Sequence, residues 1–592
     1  MNLITDIRNW ILPLGLLLTG CVNVSDLTPP GEASEELPCV VLRIAVPADA
    51  TRSNPTGGEE GDGREEGVLN EDEIRNINLF FYKDDNGLDA ADNTQILYSI
   101  YYNLENTSDP ANTTLKVEET NISDNIPQSI RYLDLKFSGK EVQTYLEENM
   151  NFATVVNTGK IEPKTMGELR NYTLTASAMS GTGTALDHFV MTTAYNQDEK
   201  LSGNISSGTN KLSKTDKNFK GITTVERLYA RIDLWYNATD NAGISANADG
   251  TTGGFDNLCY SAGANNKVYI CNVLPVNVMQ KPSYMFKKVT ETQTWTATNE
   301  CWTASSMKDL TAFKWGGKEL PDTKPTASPK DQPTNYVMEP TTLAKSTKLG
   351  ENNANISSWY GTTATAKVKD VITNGETGKL SGYYNMPKTE QGSKPDRISI
   401  ITYANENTHP TDCFNSDYLT GLAFRGIYVP ATIYKKYYPG TTGGFETMTA
   451  EDKKTFGSGK KIYRYSPSTR KDQTEDICLY FAYSEDANAY KTNHPKDNAV
   501  ITEYTTEYLD ENTLGFVCYY NLWLRHYNDE KADPQEAYPM EYATVRNNIY
   551  RVSISFNGPG DPEPTMREPD TMQARIFVRK WNLRTEDKPL EF

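Results

Sequence analysis

Histidines, cysteines and paired acids are the side chains best able to do chemistry, and in this sequence they are sparse or unpatterned. The four histidines, His188, His409, His494 and His526, each sit among loop-like or strand-like residues with no nucleophile at a fixed spacing. Gly203-Asn-Ile-Ser-Ser-Gly208 has the glycine spacing of a phosphate loop, yet Thr209 stands where a phosphate-binding lysine is needed. Gly378-Lys379 is followed by Leu380, so the metal-binding hydroxyl is missing. Metalloprotease, nucleophile-elbow and dinucleotide signatures are absent from the sequence. The run Asp84-Asp-Asn-Gly-Leu-Asp-Ala-Ala-Asp92 gathers carboxylates without the alternate-ligand spacing of a calcium loop, and reads as a solvated turn. Among 78 acidic residues no pair stands out as an acid/base couple for glycoside hydrolysis. Cys39, Cys259, Cys271, Cys301, Cys413, Cys478 and Cys518 are scattered, with no Cys-x-x-Cys and no histidine at ligand spacing, which disfavours zinc. Several of them lie in strand-like runs such as Ile477-Cys-Leu-Tyr-Phe481, which suit buried free thiols, and one or two disulfides stay open. The reading is therefore a non-enzyme with no catalytic residue, no cofactor and no metal.

Cys21 is the exception. Ile11–Leu18 is apolar but too short to span a bilayer, as expected of the apolar region of an export signal, and Leu18-Thr19-Gly20-Cys21 follows it. A leucine, two small residues and a cysteine in that place resemble a lipobox, where the thiol is acylated and the preceding bond is cut. Dual acylation anchors a chain stably, which one acyl chain does not. Later in the sequence no 18-residue run is apolar throughout, so the lipid at Cys21 is the expected membrane anchor.

Short strands must position whatever this chain presents. Cys39–Val46 alternates Val40, Leu42, Ile44 and Val46 against Arg43 and ends at Pro47. Ser53–Glu73 is Gly-rich and strongly acidic, an exposed loop that carries Arg64 and has Arg52 at its upstream border. Period-two segments follow at 74–82, 133–137, 229–236 and 268–273, residues 151–159 read as a buried strand closing in a turn, and strand signals resume at 397–403, 422–430, 477–483, 516–524, 550–556 and 574–581. Helical spacing is confined to 140–150 and 166–171, and 287–380 is Thr/Asn/Lys/Gly-rich with little periodicity. The pattern predicts an all-β chain of two Greek-key, transthyretin-like β-sandwich domains with long loops and a few short helices.

Composition narrows the function further. The formal charge of −19 and pI near 4.9 argue against a protein that works by neutralising nucleic-acid phosphates. Hydrophobic residues make up 37%, a lean core for 592 residues, while 10% aromatics exceed what a disordered chain carries.

Several segments in order resemble the type V pilins of Bacteroidales, the major fimbrial subunit (fimbrillin) family. They are the lipobox at Cys21, the early strand with an arginine ahead of an acidic loop, Asn157-Thr158-Gly159 and Leu228-Tyr-Ala-Arg-Ile-Asp-Leu234. The second half adds Tyr403-Ala-Asn-Glu-Asn-Thr408, Arg425-Gly-Ile-Tyr428, Val545-Arg-Asn-Asn-Ile-Tyr-Arg-Val552 and Ile576-x-Val578-x-x-Trp581. Length and the Arg-Asn-Asn-Ile-Tyr signature look most like the major subunit of short fimbriae.

The resemblance implies a lipoprotein precursor at the outer membrane, from which an Arg- or Lys-specific surface protease removes the first strand. A neighbouring copy's C-terminal strand then fills the groove by strand addition. Mapped here, the signal peptide is 1–20 and the propeptide 21–52, with Val40, Leu42, Ile44 and Val46 on the removable strand. Cutting at Arg52–Ser53 leaves that whole strand on the discarded side, with Arg64 and Arg43 as less favoured positions. The domains are then 53–287 and 288–581, and the tail is 582–592, with Trp581, Leu583, Leu590 and Phe592 reaching outward as donor. Replacing four aliphatics, each worth about 1.5–3 kcal/mol, would make such a joint dissociate very slowly. Implied partners are other copies of the chain, accessory pilins and host or bacterial surface receptors. Nucleic acid is not among them, and membrane contact is limited to the precursor's lipid. A non-polymerising surface lipoprotein that binds glycans, or an anchor or tip pilin, is the competing reading.

Overall fold

The computed structural model describes residues 39–45, 64–66, 74–84, 90–106, 108–111, 116–120, 132–138, 150–170, 172–174, 189–193, 211–212, 218–236, 258–263, 265–276, 283–286, 288–290, 313–315, 384–385, 397–404, 406, 419–441, 444–468, 477–510, 512–526, 542–563 and 571–582. Over these residues the chain is all-β, with three large sheets, two isolated strand pairs and short helices at Met166–Arg170, Ala450–Phe456 and Ser484–Asn493.

The first sheet has nine strands. Eight run in the order Ile96–Asn103, Asn76–Tyr82, Met150–Val156, Met191–Thr193, Asn218–Arg227, Cys39–Ala45, Tyr132–Ser138 and Lys116–Thr120, and Lys211–Leu212 joins Met150–Val156. Phe80, Tyr82, Ala153 and Val155 pack with Leu169 of the first helix and with Phe189 and Met285. The alternation in Asn76–Tyr82 predicts one buried face, yet Ile77, Leu79 and Phe81 are buried as well as Phe80 and Tyr82. Asn157 (φ 66°) and Gly159 (φ 71°) end the Met150–Val156 strand in the left-handed region, which asparagine and glycine tolerate best. The Asn157 carboxamide then accepts from the Arg75 amide at 2.8 Å and donates to the Phe189 carbonyl at 2.8 Å.

A second sheet of six strands runs Tyr384–Asn385, Arg397–Ala404, Ala230–Tyr236, Asn548–Phe556, Met572–Asn582, Arg64–Glu66. A third, of nine strands, has Lys267–Val276, Gly421–Val429, Thr513–Trp523 and Val500–Asp510 side by side. Ile232, Leu234, Val552, Ile554 and Ile576 of the second sheet share one core with Val268, Ile270, Phe424, Tyr428, Phe516 and Leu522 of the third. Two sheets closed over a common core form a β-sandwich.

The expected division at 287/288 does not follow the sheets. Ala230–Tyr236 lies between Arg397–Ala404 and Asn548–Phe556, and Lys267–Val276 lies between Leu258–Ser261 and Gly421–Val429, so both are interior strands of the C-terminal half's sheets. Alternation marks these segments as strands but carries no information about their partners. The helix expected at 140–150 falls outside the described residues except for Met150, which opens a strand. Helices Ala450–Phe456 and Ser484–Asn493 escaped the sequence reading: the first buries no residue and the second only Asp486 and Ala487, so neither shows an apolar stripe.

Candidate assembly site

Cys39–Ala45 runs parallel to Asn218–Arg227 and antiparallel to Tyr132–Ser138 over its full length, so its backbone is paired on both edges. Val40, Leu42 and Ile44 stand opposite Phe137, Leu135 and Leu133, and Arg43 stands opposite Asp134. The alternation of Val40, Leu42 and Ile44 is therefore in phase with that of Phe137, Leu135 and Leu133, and a one-residue slip in either direction would bring Val40 and Leu42 against polar residues. Among the described residues this strand is the only link between Tyr132–Ser138 with Lys116–Thr120 and the remainder of the first sheet.

At the other end of the chain, Met572–Asn582 pairs antiparallel with Asn548–Phe556, from Phe556↔Met572 to Asn548↔Lys580. On its outer edge Arg64–Glu66 pairs parallel, with Arg64, Glu65 and Glu66 opposite Lys580, Trp581 and Asn582. Trp581, assigned by resemblance to an outward-reaching tail, thus has its backbone in the subunit's own sheet. Arg64, the less favoured cleavage position, is in the same sheet. Cys21, Val46, Arg52, Ser53, Leu583, Leu590 and Phe592 lie outside the described residues.

Three of the segments that carried the resemblance, 228–234, 403–406 and 545–552, come together where the first sheet meets the second. Asn547 adopts φ 57°, and its side-chain oxygen accepts from the Arg227 amide at 3.3 Å and guanidinium at 3.2 Å. Asn548 donates to the carbonyls of Val545 and Arg546. The Tyr550 hydroxyl reaches back to the Val545 amide (2.9 Å) and the Ala543 carbonyl (3.1 Å), in the manner of a tyrosine corner. Arg546 donates to Glu406 at 2.6 Å and to the Met285 carbonyl at 2.8 Å, all within the interior. Tyr403, three residues before Glu406, packs against Phe189 with ring centroids 4.8 Å apart.

Asp233 and Arg551 are register partners on adjacent parallel strands, and both are buried. The Asp233 carboxylate accepts two hydrogen bonds from Arg231 at 2.9 Å and one from Arg551 at 3.3 Å. Alternation sets Ala230, Ile232 and Leu234 on one strand face, which is buried, yet Arg231, Asp233 and Arg551, on the opposite faces of their strands, are buried too. The available signal was the opposite-charge pair at i and i+2, which shares a strand face. Burial of charge becomes tolerable only because each charge is paired and hydrogen-bonded.

Two of the histidines make structural contacts. His526 lies 2.8 Å from the Tyr550 hydroxyl, and His494 stacks on Tyr490 at 4.0 Å. His188 and His409 fall outside the described residues. Of the acidic run at 84–92, Asp84 accepts from Thr94 at 3.0 Å and Asp92 pairs with Arg170 at 2.8 Å. Among the described residues no group of three or more His, Cys, Asp or Glu is placed to hold a metal. Cys259, Cys271, Cys478 and Cys518 are free thiols. Burial pushes the Cys271 thiol up to about 12 and Cys518 to about 11, so neither supplies a thiolate at neutral pH. Cys478, expected in the interior, is only half-buried, beside the Arg464 guanidinium.

Residues 515–587 match the family model for the C-terminal domain of the major fimbrial subunit protein type IV, fimbrillin. The matched segment holds the Val545–Val552 motif and the strands Asn548–Phe556 and Met572–Asn582. Among solved structures, the chain is similar to a cell adhesion protein from Parabacteroides distasonis (12% identity, 92% of this chain and 100% of that chain, TM-score 0.32). It is likewise similar to a fimbrilin, FimA, from Porphyromonas gingivalis (12% identity, 92% and 98%, TM-score 0.31). A third is the C-terminally truncated tip fimbrial protein Mfa3 of Porphyromonas gingivalis (8% identity, 92% and 100%, TM-score 0.26). No curated protein sequence matches the chain.

Proposed function

We propose that this chain is a structural subunit of a cell-surface fimbrium, of the shaft-forming kind and closest to the short-fimbria major subunit. In this reading it is exported as an outer-membrane lipoprotein acylated at Cys21, cut by an Arg- or Lys-specific protease at Arg52–Ser53, and polymerised by donor-strand exchange. Its partners are other copies of itself and accessory pilins, and the finished fimbrium supports adhesion to host or bacterial surfaces. The reading rests on the fimbrillin match over residues 515–587.

The observation that carries the mechanism is the interior position of Cys39–Ala45. Excising a strand paired on both edges would leave two rows of backbone groups without partners, one on Asn218–Arg227 and one on Tyr132–Ser138. Such a groove is a template for an incoming strand. The ten residues after Asn582 can extend over about 33 Å, more than the seven-residue strand they would replace.

In the same reading the N-terminal domain ends near Leu228, because the strands from Ala230 onward pair with the C-terminal half. N-terminal sequencing of the surface-exposed protein tests the cleavage: the mature chain should begin at Ser53, and a chain beginning at Cys21 would refute polymerisation by strand removal. Deleting residues 583–592 should abolish heat-resistant oligomer series on denaturing gels, and oligomers that persist would refute the donor role.

A further inference from the structure

Arg64–Glu66 pairs with the last residues of the C-terminal strand. Partners from Asn548–Phe556 stop at Lys580, so among the described residues Trp581 and Asn582 are held in the sheet by Glu65 and Glu66. We infer that Arg64–Glu66 is a guide strand, retained in the mature subunit, that clamps the base of the C-terminal segment and sets where and in which direction the chain after Asn582 leaves the domain. This inference rests on the donor-strand reading of the function.

Three observations converge on it. First, the segment lies in the second sheet, whereas Cys39–Ala45 lies in the first, so residues 46–63 connect the two sheets. A cut at Arg52 within that connection frees the first strand and leaves Arg64–Glu66 attached to the mature chain. Second, Arg64 is itself a strand residue paired with Lys580, and a backbone already paired is a poor protease substrate. Third, the pairing occupies the outer edge at the point where the C-terminal strand runs past its inner neighbour. An open edge there would be free to pair with another chain out of turn. The flanking sequence, with Glu59, Glu60, Asp62, Glu65 and Glu66, adds the charge that discourages such pairing.

The pairing and its role can be tested separately in the full-length precursor. A Glu65→Cys/Trp581→Cys double variant should form a disulfide detectable by peptide mapping, since paired strands bring their Cα atoms within disulfide range. Failure to cross-link overturns the guide strand outright. Next, Glu65→Pro and Glu66→Pro are compared with the unmodified chain. Neighbouring residues of a strand direct their N–H groups to opposite edges, so one of the two prolines removes a donor facing the C-terminal strand. That variant should still be cut to begin at Ser53 and keep its circular dichroism spectrum, while its heat-resistant oligomers fall several-fold. Unchanged oligomer yield in both proline variants overturns the inference and leaves the donor-strand reading intact. Absence of oligomers from the unmodified, cleaved chain overturns the donor-strand reading and the guide strand with it.

Discussion

At Asp233 one carboxylate serves two buried guanidinium groups, and this makes it the residue whose loss the fold should feel most. Asp233→Ala leaves Arg231 and Arg551 inside without that anion, and breaking a buried pair from one side costs about 3–5 kcal/mol. Denaturant unfolding should show that loss with little change in slope. A well-packed apolar replacement of all three residues would cost far less, because no charge is left behind. Asp452 acts more weakly, at the surface. Its hydrogen bonds from Lys435 and Thr449 hold its carboxyl well below the usual carboxylate range, and with Thr449 it forms the capping box of helix Ala450–Phe456. A depressed pKa contributes stability that is present above about pH 4 and is lost as pH falls through the folded value. NMR of this helix on acidification should show its first turn loosening below about pH 4, and Asp452→Asn should remove that pH dependence.

Among elements, the Cys39–Ala45 strand has the largest leverage. It is paired on both edges, and a central strand does not tolerate proline. Leu42→Pro should therefore destabilise the uncut precursor. If Arg52–Ser53 is the cleavage site, the same substitution leaves the mature subunit's sequence unchanged. The expected outcome is a lower Tm and greater protease sensitivity for the precursor, measured before cleavage. Met572–Asn582 differs in kind. Its Ile576 is buried in the sandwich core, so in the donor-strand reading this strand stays in its own domain and the donor is the chain after Asn582.

For the whole molecule the decisive feature is how the sheets share the chain. Ala230–Tyr236 and Lys267–Val276 are interior strands of the two sheets that enclose the C-terminal core. A fragment of residues 288–592 lacks both and should be insoluble or molten, whereas 229–592 keeps every described strand of these two sheets except Arg64–Glu66. Expression of the two fragments, compared by near-UV circular dichroism, checks this division. The junction itself is apolar as well as hydrogen-bonded. Tyr403 and Ile549 of the second sheet pack into the same cluster as Phe189 and Tyr229, so 229–592 should expose new apolar surface at that end and bind a hydrophobic dye there.

Period-two alternation in the sequence was enough to place the strands at Ala230–Tyr236, Asn548–Phe556 and Met572–Asn582 and to pick Ile232, Leu234, Val552 and Ile554 as core, because alternation is a local property of the pleat. The Asn157-Thr-Gly and Arg-Asn-Asn-Ile-Tyr segments stood out by resemblance to the family, and the structure supplies the local reason, since left-handed residues and side-chain caps restrict residue type. Which strand pairs with which is not local. The interior place of Cys39–Ala45, the link from Arg64–Glu66 to the C-terminal strand, and the burial of Arg231, Asp233 and Arg551 were decided only by tertiary structure. Each depends on backbone partners or charges brought together from distant parts of the chain.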